Sequence, residues 1–416
     1  MLPIRRKNLW RLAVAVGGVL IGLAVSEIIA RFVSPADDAC MVFNSPDAEP
    51  RGLFSAEPSI GMVLTPNFQG QFRTPGHSVL LRVNSLGMRG PEPTSPKTGY
   101  RWLTIGDSFA LSLQVPEEET FEALLARGLG AEVLNGGVSG DSTWQSVARY
   151  RRWADSLQPD AVLLLFFVGN DITDDGAFDR ARLRGGGHAP PPGASPPGGP
   201  GAPQPGPGPA PTGPGASMDG SADLPPVGPD GAPPAGRVLR VLPVVSRWLL
   251  QRSYLWSHIR VAMERRAVAA GTPLRVAQWK DELAIYTRAG RPLLTSLAPV
   301  TRDALAELQR EAGARGDRLV VALAPPLFAV DQERLPATFD LVGLDPADAD
   351  LDAPTALVQG ILDALGIASC DLTPALRAAH DAGVETYLAY DAHWSPAGHA
   401  VVAEALRGCI AGDAGS

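Results

Sequence analysis

The 416-residue sequence predicts an α/β protein: a doubly wound parallel sheet with helices on both faces, preceded by one N-terminal transmembrane helix. Three observations carry this expectation. Apolar runs stop at polar, glycine-bearing loops, as Trp102–Ile105 does at Gly106, Val133-Leu134 at Asn135-Gly136-Gly137, and Ala161–Val168 at Gly169-Asn170-Asp171. Helical repeats separate those runs, and the connections are too long for hairpins, which points to parallel strands. The third run is continuously apolar, the pattern of a strand covered on both faces.

Charge narrows the function classes. With 36 basic and 44 acidic residues the net charge is −8, and no basic stripe follows the first eleven residues. A nonspecific nucleic-acid binder needs a basic surface to displace counterions, so no nucleic-acid partner is expected. Gly and Pro total 85, but 32 of them fall within the 52 residues from Gly185 to Gly236. That stretch lacks the apolar surface to offset its ordering entropy, so it is expected to be a flexible or polyproline-like insertion. The chain then divides into a basic tip and anchor over 1–35, a β-rich prelude over 55–98, a first part of the main domain over 99–182, the insertion over 183–236, and a second part over 237–411.

At the N-terminus Arg5-Arg6-Lys7 precedes an apolar run from Leu9 to Val33, broken by Arg11, Glu27 and Arg31. The run can span a bilayer if its flanking charges snorkel, and the positive cluster would keep the N-terminus inside. The expected location is therefore a single-pass membrane protein with its main domain periplasmic or extracellular. A secretory signal cleaved near Ala24-Val25-Ser26 is the competing reading. In such a compartment Cys370 and Cys409 could pair; three buried small hydrophobes, Cys40 included, are the alternative.

Along the chain, short strands are expected within Gly61–Asn67 and Ser78–Asn84. A helix should open at the acidic Pro116–Glu119 and run to about Gly128, and another should cover Ser142 to Leu157. Val238–Ala269 and Arg302–Gly313 read as helical. Leu319–Ala324 is a strong strand ended by Pro325-Pro326, and Ser395-Pro396 marks the start of a helix over Ala397–Leu406, with Ser as N-cap.

Four polar clusters stand where chemistry is expected: Gly106-Asp107-Ser108, Gly140-Asp141-Ser142, Gly169-Asn170-Asp171 and Asp391-Ala392-His393-Trp394. Parallel strands would bring the first three to one rim, where ligands of such sheets bind. Asp107, Asp141 and Asp171 read as turn and hydrogen-bonding residues. Asp171, Asp174 and Asp175 lack EF-hand spacing, and the remaining histidines lack zinc spacing, so neither metal nor cofactor is expected.

The four blocks, in this order, resemble the SGNH (GDSL-type) hydrolase family, whose fold is flavodoxin-like. The resemblance implies Ser108 as nucleophile, His393 as base and Asp391 as its orienting acid. It implies an oxyanion hole from the Ser108 and Gly140 N–H groups and the Asn170 amide, with Gly at 140 allowing close backbone approach. Asn84-Ser85-Leu86-Gly87-Met88-Arg89-Gly90 is similar to a membrane-anchored bacterial subgroup. Phe109 replaces the Leu of the family's name, a packing change. The Asp-x-His spacing with Trp following resembles polysaccharide O-acetylation proteins. The activity this resemblance implies is that of a serine esterase acting on short acyl esters, acetyl foremost, of envelope glycans through an acyl-serine. An O-acyltransferase using the same site within an envelope polysaccharide machinery is the alternative, and a catalytically silent glycan-binding scaffold is a second.

Overall fold

The computed structural model describes residues 6–32, 52–57, 60–73, 78–183, 253, 255, 259, 276–388 and 392–413. The expected insertion beyond 183, Cys40, Asp391 and nearly all of the expected helix Val238–Ala269 lie outside them.

Helix α1 (Arg6–Phe32) is the first element. Among the described residues, however, no helix is long and apolar enough to cross a membrane. This corrects the expected transmembrane anchor, and with it the periplasmic or extracellular location. The physical reason lies in where the charges fall. Only Leu12–Ser26 is free of them, about 22 Å of helix against a hydrocarbon core of about 30 Å. Glu27, at the end of that stretch, accepts hydrogen bonds from Ser253 Oγ (2.7 Å) and the Leu255 N–H (3.1 Å), so its carboxylate is engaged by the chain itself.

Two antiparallel hairpins come next, β1 (Phe54–Glu57) with β2 (Gly61–Leu64), and β3 (Gln69–Arg73) with β4 (Ser78–Arg82). In β4 the side chains alternate exposed and buried, which puts Val79 and Leu81 into a small core with Leu53, Leu64 and Phe72.

The main sheet has five parallel strands, β5 (Arg101–Gly106), β6 (Glu132–Asn135), β7 (Ala161–Phe167), β8 (Arg318–Ala324) and β9 (Ala368–Asp371), in the order β6-β5-β7-β8-β9. This is the flavodoxin-like order, and its strand order reverses between β5 and β7. All seven residues of β7 are buried, as its unbroken apolar run requires. Helix α2 (Ser108–Leu111) leaves β5 directly; α3 (Phe121–Leu129), α4 (Thr143–Leu157) and α5 (Asp171–Leu183) come after it. Helix α3 packs with Pro396–Asp413, whereas α4 and α5 pack with the long helix Arg291–Arg315, which also meets Ala353–Leu365. The two groups form the layers on either side of the sheet.

One helix start differs from expectation. Glu117–Glu119 form a single 3-10 turn, and α3 begins only after Thr120, whose extended backbone and side-chain bond to the Ala123 N–H make it the N-cap. Helix α4 starts where expected, with a capping box between Ser142 and Gln145.

The carboxyl ends of the strands hold several buried acids. Asp141 pairs with Arg149, which is fully buried and also donates to the Met62 carbonyl of β2 (2.5 Å). Asp175 accepts from the Thr143 N–H at 2.9 Å. Cys370 on β9 is bonded to Cys409 on the last helix, 39 positions on.

Closing a loop of that length stabilises the fold by about 4 kcal/mol through the unfolded chain. Replacing both cysteines by alanine should lower the unfolding free energy by about 3–4 kcal/mol in urea titration; an unchanged value would remove the disulfide from the fold's support. The buried acids add a pH dependence. Burial pushes the Asp107 carboxyl up to about 6 and that of Asp175 up to about 7, whereas unfolded aspartates titrate near pH ~4. The native chain therefore binds more protons than the unfolded chain between about pH 4 and 7. Stability from these groups is complete below that window and is lost as pH rises through it. The urea midpoint should fall between about pH 5 and 8, and Asp175→Asn should shrink that fall; a midpoint rising over this range would contradict the assignment.

Candidate active site

Ser108 opens α2 immediately after β5, and the preceding Asp107 caps this short helix by accepting from the Phe109 N–H at 2.9 Å. The serine side chain is half-buried, with its hydroxyl at the rim of the sheet. Across that rim, His393 Nε2 lies 2.8 Å from Ser108 Oγ, in hydrogen-bond contact.

The imidazole is 2% exposed and set in an aromatic wall. Its ring lies 4.6 Å from Phe109, which stacks on Phe167 at 4.0 Å and meets Trp394 edge-on at 5.0 Å. The loop that carries it is fixed by main-chain pairing: the Leu388 N–H donates to the His393 carbonyl (2.9 Å), and Tyr387 and Trp394 form an antiparallel bridge. Ala392 sits at φ 61°, a left-handed position that alanine takes only at a cost of about 1 kcal/mol or more. Ser395 accepts from the Gly398 N–H (3.0 Å), the N-cap that Ser395-Pro396 leads one to expect. Asp391 lies outside the described residues. His399 is packed instead against Phe121, whose N–H it accepts at Nδ1 (3.2 Å); burial lowers its pKa to about 3, so it stays neutral.

Asn170 ends the β7 loop. Its carbonyl accepts from the Thr173 and Asp174 N–H groups, both at 2.8 Å, which pins the residue at the start of α5. Its side-chain Oδ1 is buried without a hydrogen-bond partner. Gly140, in the loop after β6, has φ 75°, a conformation that favours glycine. A Cβ there would meet no other protein atom within 4 Å. Within the protein, the close backbone approach is at Gly137, where a Cβ would fall 2.4 Å from the Leu111 nitrogen of α2. The loops after β5, β6 and β7 thus carry Ser108, Gly140 and Asn170 at the carboxyl ends of adjacent strands, beside the switch point between β5 and β7. A cavity of about 720 Å³ lined by Lys97, Tyr100, Asp317 and Arg318 lies at the opposite, amino ends.

Asp107 is wholly buried, one of its oxygens lacks a partner, and the nearby His393 opposes the rise that burial imposes on its pKa. A serine hydroxyl in contact with an imidazole, in a buried aromatic setting, can be deprotonated as it attacks an electrophilic carbon. Among the described residues, no group of His, Cys, Asp or Glu side chains could hold a metal ion. Sequence reasoning did not single out Phe109 and Trp394 as the imidazole's supports; the only signal for them was their adjacency to Ser108 and His393.

Residues 292–414 match a family model described as SGNH hydrolase-like domain, acetyltransferase AlgX. The match contains His393 and begins after the first three blocks. An arylesterase from Vibrio mimicus is 37% identical over 90 residues, 20% of this chain and 45% of that protein, so the chain spans less than half of this curated relative's length. Similar solved structures include TesA, with 10% identity and a TM-score of 0.33 over 74% of this chain and 97% of that one. An acetylxylan esterase, Axe2, from Geobacillus stearothermophilus has 13% identity and a TM-score of 0.35 over 76% and 96%. At these scores the two structures carry no argument. Over residues 292–414 the chain is similar to an SGNH hydrolase-like domain.

Proposed function

We propose that this protein is a serine acyl-ester enzyme acting on short acyl esters, acetyl foremost, of carbohydrate hydroxyls. The observation that supports it most is the 2.8 Å contact between Ser108 Oγ and His393 Nε2.

In this reading Ser108 Oγ attacks the ester carbonyl while His393 Nε2 takes its proton. The tetrahedral adduct places its negative oxygen toward the Ser108 and Gly140 N–H groups and the Asn170 amide, which takes the orientation that presents its nitrogen. His393 then gives its proton to the leaving alcohol oxygen, the C–O bond breaks, and acyl-Ser108 remains. A water molecule, deprotonated by the same imidazole, returns the free serine and a carboxylic acid. Asp391 is assigned the orienting role on the imidazole, and the buried Asp107 charge adds to the stabilisation of the imidazolium.

The description of the matching family as an acetyltransferase favours a second outcome of the same acyl-serine: a sugar hydroxyl replaces water as acceptor. The chemistry differs only in which oxygen attacks the acyl carbon.

Wild type should react with a fluorophosphonate probe and hydrolyse p-nitrophenyl acetate, while Ser108→Ala should lose at least about 10³-fold of that rate and all labelling. Equal labelling of both would sink the proposal. Asn170→Ala should lower kcat by about 10²–10³ with KM little changed. With an oligosaccharide present, mass gain on the glycan identifies transfer, and release of acetate alone identifies hydrolysis.

A further inference from the structure

The nucleophile helix is too short to hold its own end. Helix α2 has four residues, and its final carbonyls have no helical N–H to accept from. The adjacent Ser112 hydroxyl donates to the Phe109 (2.8 Å) and Ala110 (3.2 Å) carbonyls, and further donors come from two distant places. Arg89, buried at 5% exposure, donates through Nη1 to the Leu111 carbonyl (2.9 Å) and to the Ser112 carbonyl, and through Nη2 to the Val115 carbonyl (2.5 Å). Asn135, at the end of β6, donates through Nδ2 to the Ala110 carbonyl (2.7 Å) and accepts the Gly137 N–H at Oδ1 (3.0 Å). The two suppliers are themselves joined, since the Arg89 N–H donates to the Asn135 carbonyl at 3.1 Å.

The segment that delivers Arg89 is built for the purpose. Asn84 Oδ1 accepts from the Leu86 and Met88 N–H groups, both at 3.0 Å, and its Nδ2 donates to the Pro91 carbonyl at 2.9 Å. This folds Asn84–Gly90 into a closed loop, and Arg89 leaves it bridged on one side to Val83 and on the other to Asn135. A guanidinium can serve three carbonyls at once because its donors form a rigid planar fork.

From this network we infer that Arg89 and Asn135 are positioning residues that clamp the carbonyl end of helix α2 and so fix the Ser108 hydroxyl against His393. The inference rests on the reading of Ser108 as nucleophile. It also gives the hairpin prelude a part in the reaction, since Arg89 belongs to that prelude and touches neither reacting atom.

The test compares wild type with Arg89→Lys and Asn135→Ala, by amide hydrogen exchange over 107–115, fluorophosphonate labelling rate per folded molecule, and steady-state kinetics with p-nitrophenyl acetate. A lysine retains charge but lacks the fork. Exchange over 107–115 should quicken while β7 and β8 stay protected. The labelling rate and kcat should fall about tenfold or more at unchanged KM. A support role confined to stability would lower the melting temperature and leave labelling per folded molecule unaltered. Unchanged exchange and labelling in folded Arg89→Lys overturn the inference; if that variant does not fold, the same result in Asn135→Ala does so. A wild type that exchanges as expected but never labels would instead overturn the serine reading, and the exchange comparison still decides whether the clamp exists.

Discussion

The contact between Ser108 and His393 joins residues 285 positions apart. No local propensity can produce it; it depends on the register of the parallel strands. Gly106 lies opposite Leu165, and Phe167 opposite Ala324, so β5, β7 and β8 end close to one another and their loops share a rim. Sliding β5 by one residue would invert its side chains, exchanging the faces of the buried Trp102 and Thr104 with those of Leu103 and Ile105. Because both faces of this sheet are covered by helices, such a slip is strongly disfavoured, and the site inherits its precision from the core.

Buried guanidinium groups do much of the remaining work, and they do it mainly on main-chain oxygens. Arg89 takes the carbonyls after the nucleophile, Arg149 takes that of Met62 together with Asp141, and Arg101 takes those of Thr94 and Leu157. A buried charge is costly unless paired and hydrogen-bonded, and apolar packing in its place is often as stable. These arginines are therefore poorly explained by stability alone. Their common effect is to fasten loops and hairpin segments, which have few apolar contacts of their own, to the rigid sheet.

Much of this architecture was legible in the sequence because it obeys strong local rules. Ala161–Val168 reads as a covered strand, Ser142–Leu157 as a helix, and the first three polar clusters as strand-end loops, all close to what the fold contains. The meeting of Ser108 with His393 was legible only through the ordered set of four blocks. Less legible were features whose causes are nonlocal. The four-residue β9, containing Ser369 and Cys370, has too weak an apolar pattern to stand out and is fixed by pairing with β8. The donors to α2 and the turn after it come from Arg89, 22 to 26 positions before its acceptors, and from β6. The acidic run Glu117–Glu119 looked like a helix start, but the Thr120 side chain decides the boundary. The apolar N-terminal run suggested a bilayer span that no described helix satisfies.

The Pro- and Gly-rich stretch falls, by sequence, within the crossover between β7 and β8. On either side of the residues between them, α5 and the helix Arg291–Arg315 pack directly on each other. Because these two helices meet each other directly, the packing beside the reactive centre does not depend on how many residues lie between them, so homologous chains of very unequal size could retain that centre.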